Sequence, residues 1–141
     1  MRYSPDVWGK HYWFVLFTIA LNYPLNPNTI TKKKYYDFIQ NLSLFLPGSE
    51  IGKNFNNILD RYPVTPYLDS RESFIKWVHF IHNKINVFLG KDEISMLDAL
   101  NAYNANYIPK DIKLKDEIKK KEKYLFMGII SILFIGIYYI Y

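Results

Sequence analysis

The stretch SRESFIKWVHFIHNKINVFLGK, residues Ser70 to Lys91, decides the class of fold that the rest of the chain must join. Asp69, with Glu72 three residues on, reads as a capping-box-like start, although Ser or Thr is the more usual cap. The run continues to Leu89 and stops at Gly90, a standard place for glycine just past a helix. This is the clearest helix in the chain. Within it His82 and Asn86 are four apart and His79 is three before His82, so one helical face presents all three side chains.

Toward the N-terminus, YPVTPY (Tyr62 to Tyr67) closes a helix that begins near Pro47 and runs to about Arg61, with Ile51, Phe55, Ile58 and Leu59 inward. Before it, Tyr35, Phe38, Ile39, Leu42, Phe45 and Leu46 recur at helical spacing over about Thr31 to Leu46. The turn YPLNPNT separates that helix from a first one over about Trp8 to Asn22. On the C-terminal side, EISMLDALNAYN predicts a short amphipathic helix. No segment reads as a strand. The expectation is an all-α domain over residues 1–105, a bundle of four to five helices with short connections.

A chain of 141 residues suits one such domain. Aromatic residues make up 18%, which suits dense helix packing or a flat, ring-shaped ligand. The chain has no cysteine, which excludes a disulfide framework, a thiolate metal site and any thiol chemistry by this polypeptide alone. It leaves the compartment open. Asn41-Leu42-Ser43 fits the glycosylation sequon, expected to be unused within a helix. WFVLFTIAL (Trp13 to Leu21) is too short to span a membrane and lacks a following small-residue cleavage site, so it reads as the buried side of the first helix.

The net charge of +5 lies before residue 124. Residues 106–123 read as a basic stalk, with seven Lys against four acidic residues in KDIKLKDEIKKKEK. After it comes YLFMGIISILFIGIYYIY, residues 124–141, without charge or proline. As a helix these would cover about 27 Å, near the thickness of a bilayer core. Tyr124 at one end and Tyr138, Tyr139 and Tyr141 at the other suit two interfaces. The expectation is therefore a C-terminal transmembrane helix, with the N-terminal domain held on the cytosolic side by the adjacent lysines. Basic residues set against an apolar run argue against nucleic acid as a partner. Gly128 and Gly136 lie eight apart, a weak signal for helix pairing.

Three pieces together resemble one family. WGKHYW (Trp8 to Trp13), LPGSEI (Leu46 to Ile51) and Ser70–Lys91 stand in the order and spacing of the Erv-type FAD-linked sulfhydryl oxidases, and His82-Asn83-x-Ile85-Asn86-x-x-Leu89-Gly90-Lys91 is similar to their HNxVNxxLGK signature. The resemblance covers about residues 5 to 95. It implies a bundle that binds FAD, with Trp8, Gly9, Lys10 and Trp13 on one cofactor segment and His82, Asn83, Asn86 and Lys91 on another, His79 one turn before. Indole and imidazole rings can stack on flavin or adenine, Asn can fix orientation, and Lys can neutralise a phosphate. Taken singly, each of these residues is more often a core ring or a satisfied polar group. His79 and His82 have no third ligand nearby, so no metal site is expected.

Two departures stand out. Where the family carries Cys-x-x-Cys, this chain has Gly48-Ser49-Glu50-Ile51, so the resemblance assigns no catalytic residue. Ser49 is no substitute, since its hydroxyl is far less acidic than a thiol, and it reads better as a helix cap. Phe17 stands where many members have His, and its ring still fits beside a flavin. The reading is a membrane-anchored, FAD-binding homologue that is redox-inactive by itself. The alternatives are an oxidase working with a partner's cysteines and a non-enzymatic scaffold. The resemblance also implies homodimers or a heterodimer with an intact paralogue, and a host membrane or virion of a large DNA virus.

Overall fold

The computed structural model describes residues 3–140, apart from the side chains of residues 139 and 140. Six α-helices form among the described residues: α1 (Pro5–Leu21), α2 (Thr29–Asn41), α3 (Ser49–Arg61), α4 (Arg71–Phe88), α5 (Met96–Asn104) and α6 (Lys110–Ile140). A 3-10 turn, Leu42–Phe45, follows α2 directly.

The helix starts differ from the sequence reading for local reasons. α1 begins at Pro5, earlier than Trp8, because Ser4 caps it by accepting from the Asp6 backbone N–H, and proline fits the first turn. Asn28 caps α2 in the same way through Thr31. The cap of α4 is Ser70, one residue after the expected Asp69; its hydroxyl accepts from the Ser73 N–H at 3.2 Å. Asp69 instead pairs with Lys32. α3 is capped by Gly48 rather than Ser49, which is already the first helical residue. Gly48 has φ +96°, in the left-handed region that favours glycine. Leu46, just before Pro47, is extended, which ends the preceding turn.

The chain divides into two compact units, Met1–Tyr103 and Asn104–Tyr141. In the first, α1 packs along α4, and Leu16, Phe17, Ala20, Phe55, Phe74, Trp77, Val78 and Ile81 form the centre of the core. Each large apolar side chain buried there contributes about 1.5–3 kcal/mol. Tyr23, fully buried, donates its hydroxyl to the Leu68 carbonyl at 2.7 Å, and the Arg71 guanidinium donates to the Tyr23 carbonyl. The end of α1 is thereby tied to the start of α4. α3 approaches the 3-10 turn so closely at Gly52 that a β-carbon there would lie 2.8 Å from the Ser43 carbonyl oxygen.

The second unit corrects the expected anchor. α6 is one continuous helix in which the lysine-rich residues run directly into the apolar ones. Among the described residues no helix is long and apolar enough to cross a membrane. Lys121, Glu122 and Lys123 directly precede the described apolar residues on the same helix. Tyr141 and the side chain of Tyr139, expected at one interface, lie outside the described residues. This overturns the expected transmembrane helix, the membrane as partner through 124–141 and the single-pass membrane localisation.

Candidate functional site

Where α1 faces α4, Trp13 and His82 stack with ring centres 4.2 Å apart and planes 28° from parallel. Phe17, one turn along α1 and buried, meets the same imidazole edge-on at 6.1 Å. Trp13 also lines a small apolar hollow together with Leu16, Phe55, Trp77, Val78 and Ile81. This arrangement follows from helix geometry. Trp13 and Phe17 are four apart on α1, so they present two rings to a single residue of α4.

His82 has unusual acid–base behaviour. Burial pushes its ring down to about 4, and the positive potentials of His79 and Lys91 push the same way. The imidazole is neutral at pH 7. Its Nδ1 is buried and has no hydrogen-bond partner among the described residues. An orphaned ring nitrogen of this kind is costly, and it is a group that a bound heteroaromatic ligand could satisfy.

His79 and Asn83 point elsewhere. The Asn83 amide is used twice on one residue: its Oδ1 accepts from the Ile94 N–H at 3.0 Å, and its Nδ2 donates to the Ile94 carbonyl at 3.0 Å. His79 Nε2 lies 2.9 Å from the same carbonyl, so this nitrogen carries the proton and donates. That leaves the 3.5 Å approach of Asn83 Nδ2 to His79 Nε2 as two donors side by side. Asn86 is buried, and its backbone carbonyl accepts from the Lys91 N–H at 2.8 Å as the chain turns through Gly90. The Lys91 ammonium forms an ion pair with Asp6 at the start of α1, which holds the Asp6 carboxyl below its usual range. Trp8 donates its indole N–H to the Tyr3 carbonyl at 3.2 Å and meets Tyr12 edge-on. Lys10 is exposed and Gly9 half-buried. Gly48 is exposed at the head of α3, while Ile51 is buried.

Residues beyond the sequence candidates complete the site. Tyr103, on α5, stacks on Phe14 at 5.2 Å, tilts against Phe17 at 6.5 Å, and pairs its hydroxyl with that of Thr18 at 3.1 Å. Asp6 and Ile94 enter as the partners of Lys91 and Asn83. Only a three-dimensional contact reveals Tyr103, because its place in the short α5 resembles that of any core ring. Trp13, His82, Phe17 and Tyr103 thus line up as aromatic surface with a neutral, unpartnered ring nitrogen in its midst, and Lys91 stands at one end of α4. The arrangement can hold a flat heteroaromatic group and an attached anion. Among the described residues no group of His, Asp and Glu could hold a metal ion.

Comparison with known proteins supplies the context. The sequence profile of the Erv1 / Alr family matches residues 10–107. A probable FAD-linked sulfhydryl oxidase of Acanthamoeba polyphaga mimivirus is 35% identical over 108 residues, which is 76% of this chain and 76% of that protein. The mitochondrial FAD-linked sulfhydryl oxidase erv1 of Schizosaccharomyces pombe is 34% identical over 89 residues, 62% of this chain and 49% of that protein. Among solved structures, the FAD-binding domain of Erv1 from Saccharomyces cerevisiae superposes with a TM-score of 0.59 at 26% identity, covering 69% of this chain and 87% of that one. The yeast Erv1 core gives 0.62 at 24% identity, over 74% of this chain and 83% of that one, a likeness of fold.

Proposed function

We propose, from the premise that this chain belongs to the Erv1 / Alr family, that it binds FAD and performs no thiol oxidation by itself. The cofactor half of this reading is carried by His82, whose buried Nδ1 lacks a partner while its ring is stacked on Trp13. The residues present fit a flavin nucleotide: Trp13, Phe17 and His82 offer ring surfaces, and Lys91 and Lys10 offer cations for a diphosphate. Trp8, Gly9 and Asn86 belong to the same two segments and would shape the approach to it. FAD, when bound, supplies a two-electron acceptor. The contribution of this chain is to hold the ring between helices, keep water from it with the apolar side chains packed around Trp13, and present a neutral imidazole.

The redox half rests on composition. A sulfhydryl oxidation needs a thiolate to meet the acceptor, and this polypeptide has no thiol. The positions that the family resemblance matches to its cysteines hold Gly48 and Ile51. Gly48 also has a left-handed φ that a cysteine would adopt only with strain.

The test uses the purified full chain. A yellow protein with about one flavin per chain, which loses most of it on His82→Ala, supports the cofactor assignment; a colourless chain that takes up no added FAD overturns it. Oxygen uptake with dithiothreitol should not exceed that of the same concentration of free FAD. Turnover above that level overturns the inactivity.

A further inference from the structure

His79 and Asn83 lie in the segment matched to cofactor binding, yet the hydrogen bonds of both side chains converge on the backbone of Ile94. Ile94 sits in the connection between α4 and α5, eleven residues beyond Asn83, and its side chain packs on the core. Both its N–H and its carbonyl are held, the carbonyl by two donors. A loop residue fixed at both backbone groups cannot slide or rotate, so the helix that starts at Met96 inherits a fixed direction. Ser95, the next residue, caps that helix by accepting from the Asp98 N–H at 3.0 Å. At the other end of α5, Tyr103 reaches α1, meeting Phe14, Phe17 and Thr18. Phe17 is the ring that touches His82 edge-on. A continuous path of contacts therefore leads from Asn83, through Ile94 and α5, to the aromatic surface around His82.

We infer that His79 and Asn83 are positioning residues: by pinning Ile94 they set α5, and with it Tyr103, as a wall of the flavin site, and they do not contact the cofactor. The role in cofactor binding rests on the FAD assignment above; the clamp itself does not. The geometry explains why two donors converge on one carbonyl. The Ile94 oxygen has two lone pairs, and Asn83 Nδ2 and His79 Nε2 each occupy one. The roles also differ. Asn83 supplies both a donor and an acceptor, which no hydrophobic residue of similar size can imitate, whereas His79 supplies only a donor, which a glutamine can replace.

The experiment has two arms, both on the full chain. In the first, FAD affinity is measured by flavin absorbance for the wild type, Asn83→Ala, Tyr103→Ala and the double variant. Each single change should weaken binding by about tenfold, and the double variant should be no weaker than about either single one, because both remove the same wall. Losses that multiply would show that Asn83 touches FAD directly and overturn the inference. His79→Gln should keep wild-type affinity where His79→Leu loses it; equal loss in both also overturns it. Should Asn83→Ala fail to fold, this His79 pair decides. The second arm needs no cofactor. Amide hydrogen exchange should speed up over residues 92–104 in His79→Leu and Asn83→Ala while residues 5–21 stay protected, and unchanged protection of α5 overturns the clamp. A wild-type chain that takes up no FAD overturns the cofactor reading, and the exchange rates then decide the clamp at Ile94 on their own.

Discussion

His82 joins burial to acid–base chemistry in one side chain. An unfolded histidine takes its proton near pH 6.5, whereas the folded ring resists it down to about 4. Below pH 6.5 the unfolded state therefore binds more protons, and the folded state loses stability as pH falls toward 4; above 6.5 the contribution is complete. The total is at most about 3 kcal/mol, reduced by the partial exposure of the ring. Urea unfolding at pH 7 and pH 4.5 should show a clear loss for the wild type and a smaller one for His82→Phe, which keeps a ring against Trp13 without a titrating nitrogen. An equal loss in both would move the pH dependence to another group. Gly48 poses the opposite problem, since space is open around it but its φ is +96°. Gly48→Ala should cost about 1–2 kcal/mol through backbone strain alone. The urea midpoint at fixed slope would report it, and an unchanged midpoint would mean that the turn readjusts freely. A cysteine placed at the same position carries the same penalty, so a restored thiol pair would begin from a strained turn.

Between elements, the tightest approach is that of α3 to the 3-10 turn after α2. The Gly52 hydrogen faces the Ser43 carbonyl, and a methyl group there would sit at 2.8 Å. The obstacle is backbone, with no flexible end to move aside, so Gly52→Ala should push the two elements apart at a cost of about 1–3 kcal/mol. Thermal unfolding would show a lower midpoint, and a retained one would place the slack in Ser43. Elements are legible in the sequence where apolar spacing and breakers agree. α3 and α4 end near the expected residues because Tyr62-Pro63 and Gly90 stop them on chemistry visible in one dimension. Starts are less legible, because a cap is chosen by which of several adjacent polar residues also lacks a better partner. Asp69 is drawn to Lys32, thirty-seven residues away, and Ser70 becomes the cap. The same limit applies to the candidate site. Periodicity puts His79, His82 and Asn86 on one face of α4, but only the tertiary contacts send His82 to Trp13 and His79 to Ile94. The C-terminal run fails as a membrane span for a different reason: its apolar character, taken alone, leaves out the charged residues that continue into it along one helix.

Across the whole molecule, the contacts that close the fold lie inside the first unit. Tyr12 donates to the Phe45 carbonyl at 2.7 Å, the Thr18 and Tyr103 hydroxyls pair, Tyr23 reaches Leu68, and Lys91 reaches Asp6. These links join residues 33 to 85 positions apart and bring together both ends of the segment between Asp6 and Tyr103. The central hydrophobic core also ends at Ala99, with Tyr103 packed against it. Every cofactor residue proposed from the sequence lies at or before Lys91, and Tyr103 is the last residue of the aromatic surface. The core and the site are thus built from residues of the first unit. A chain ended after Tyr107, which keeps α5 whole together with its final 3-10 turn, should unfold at the same urea midpoint as the full chain to within about 0.5 kcal/mol, the scale of a change that touches no core contact. It should also take up FAD in the same proportion. A lowered midpoint would show that residues 108–141 support the bundle energetically, and retained stability with lost flavin would show that they complete the site.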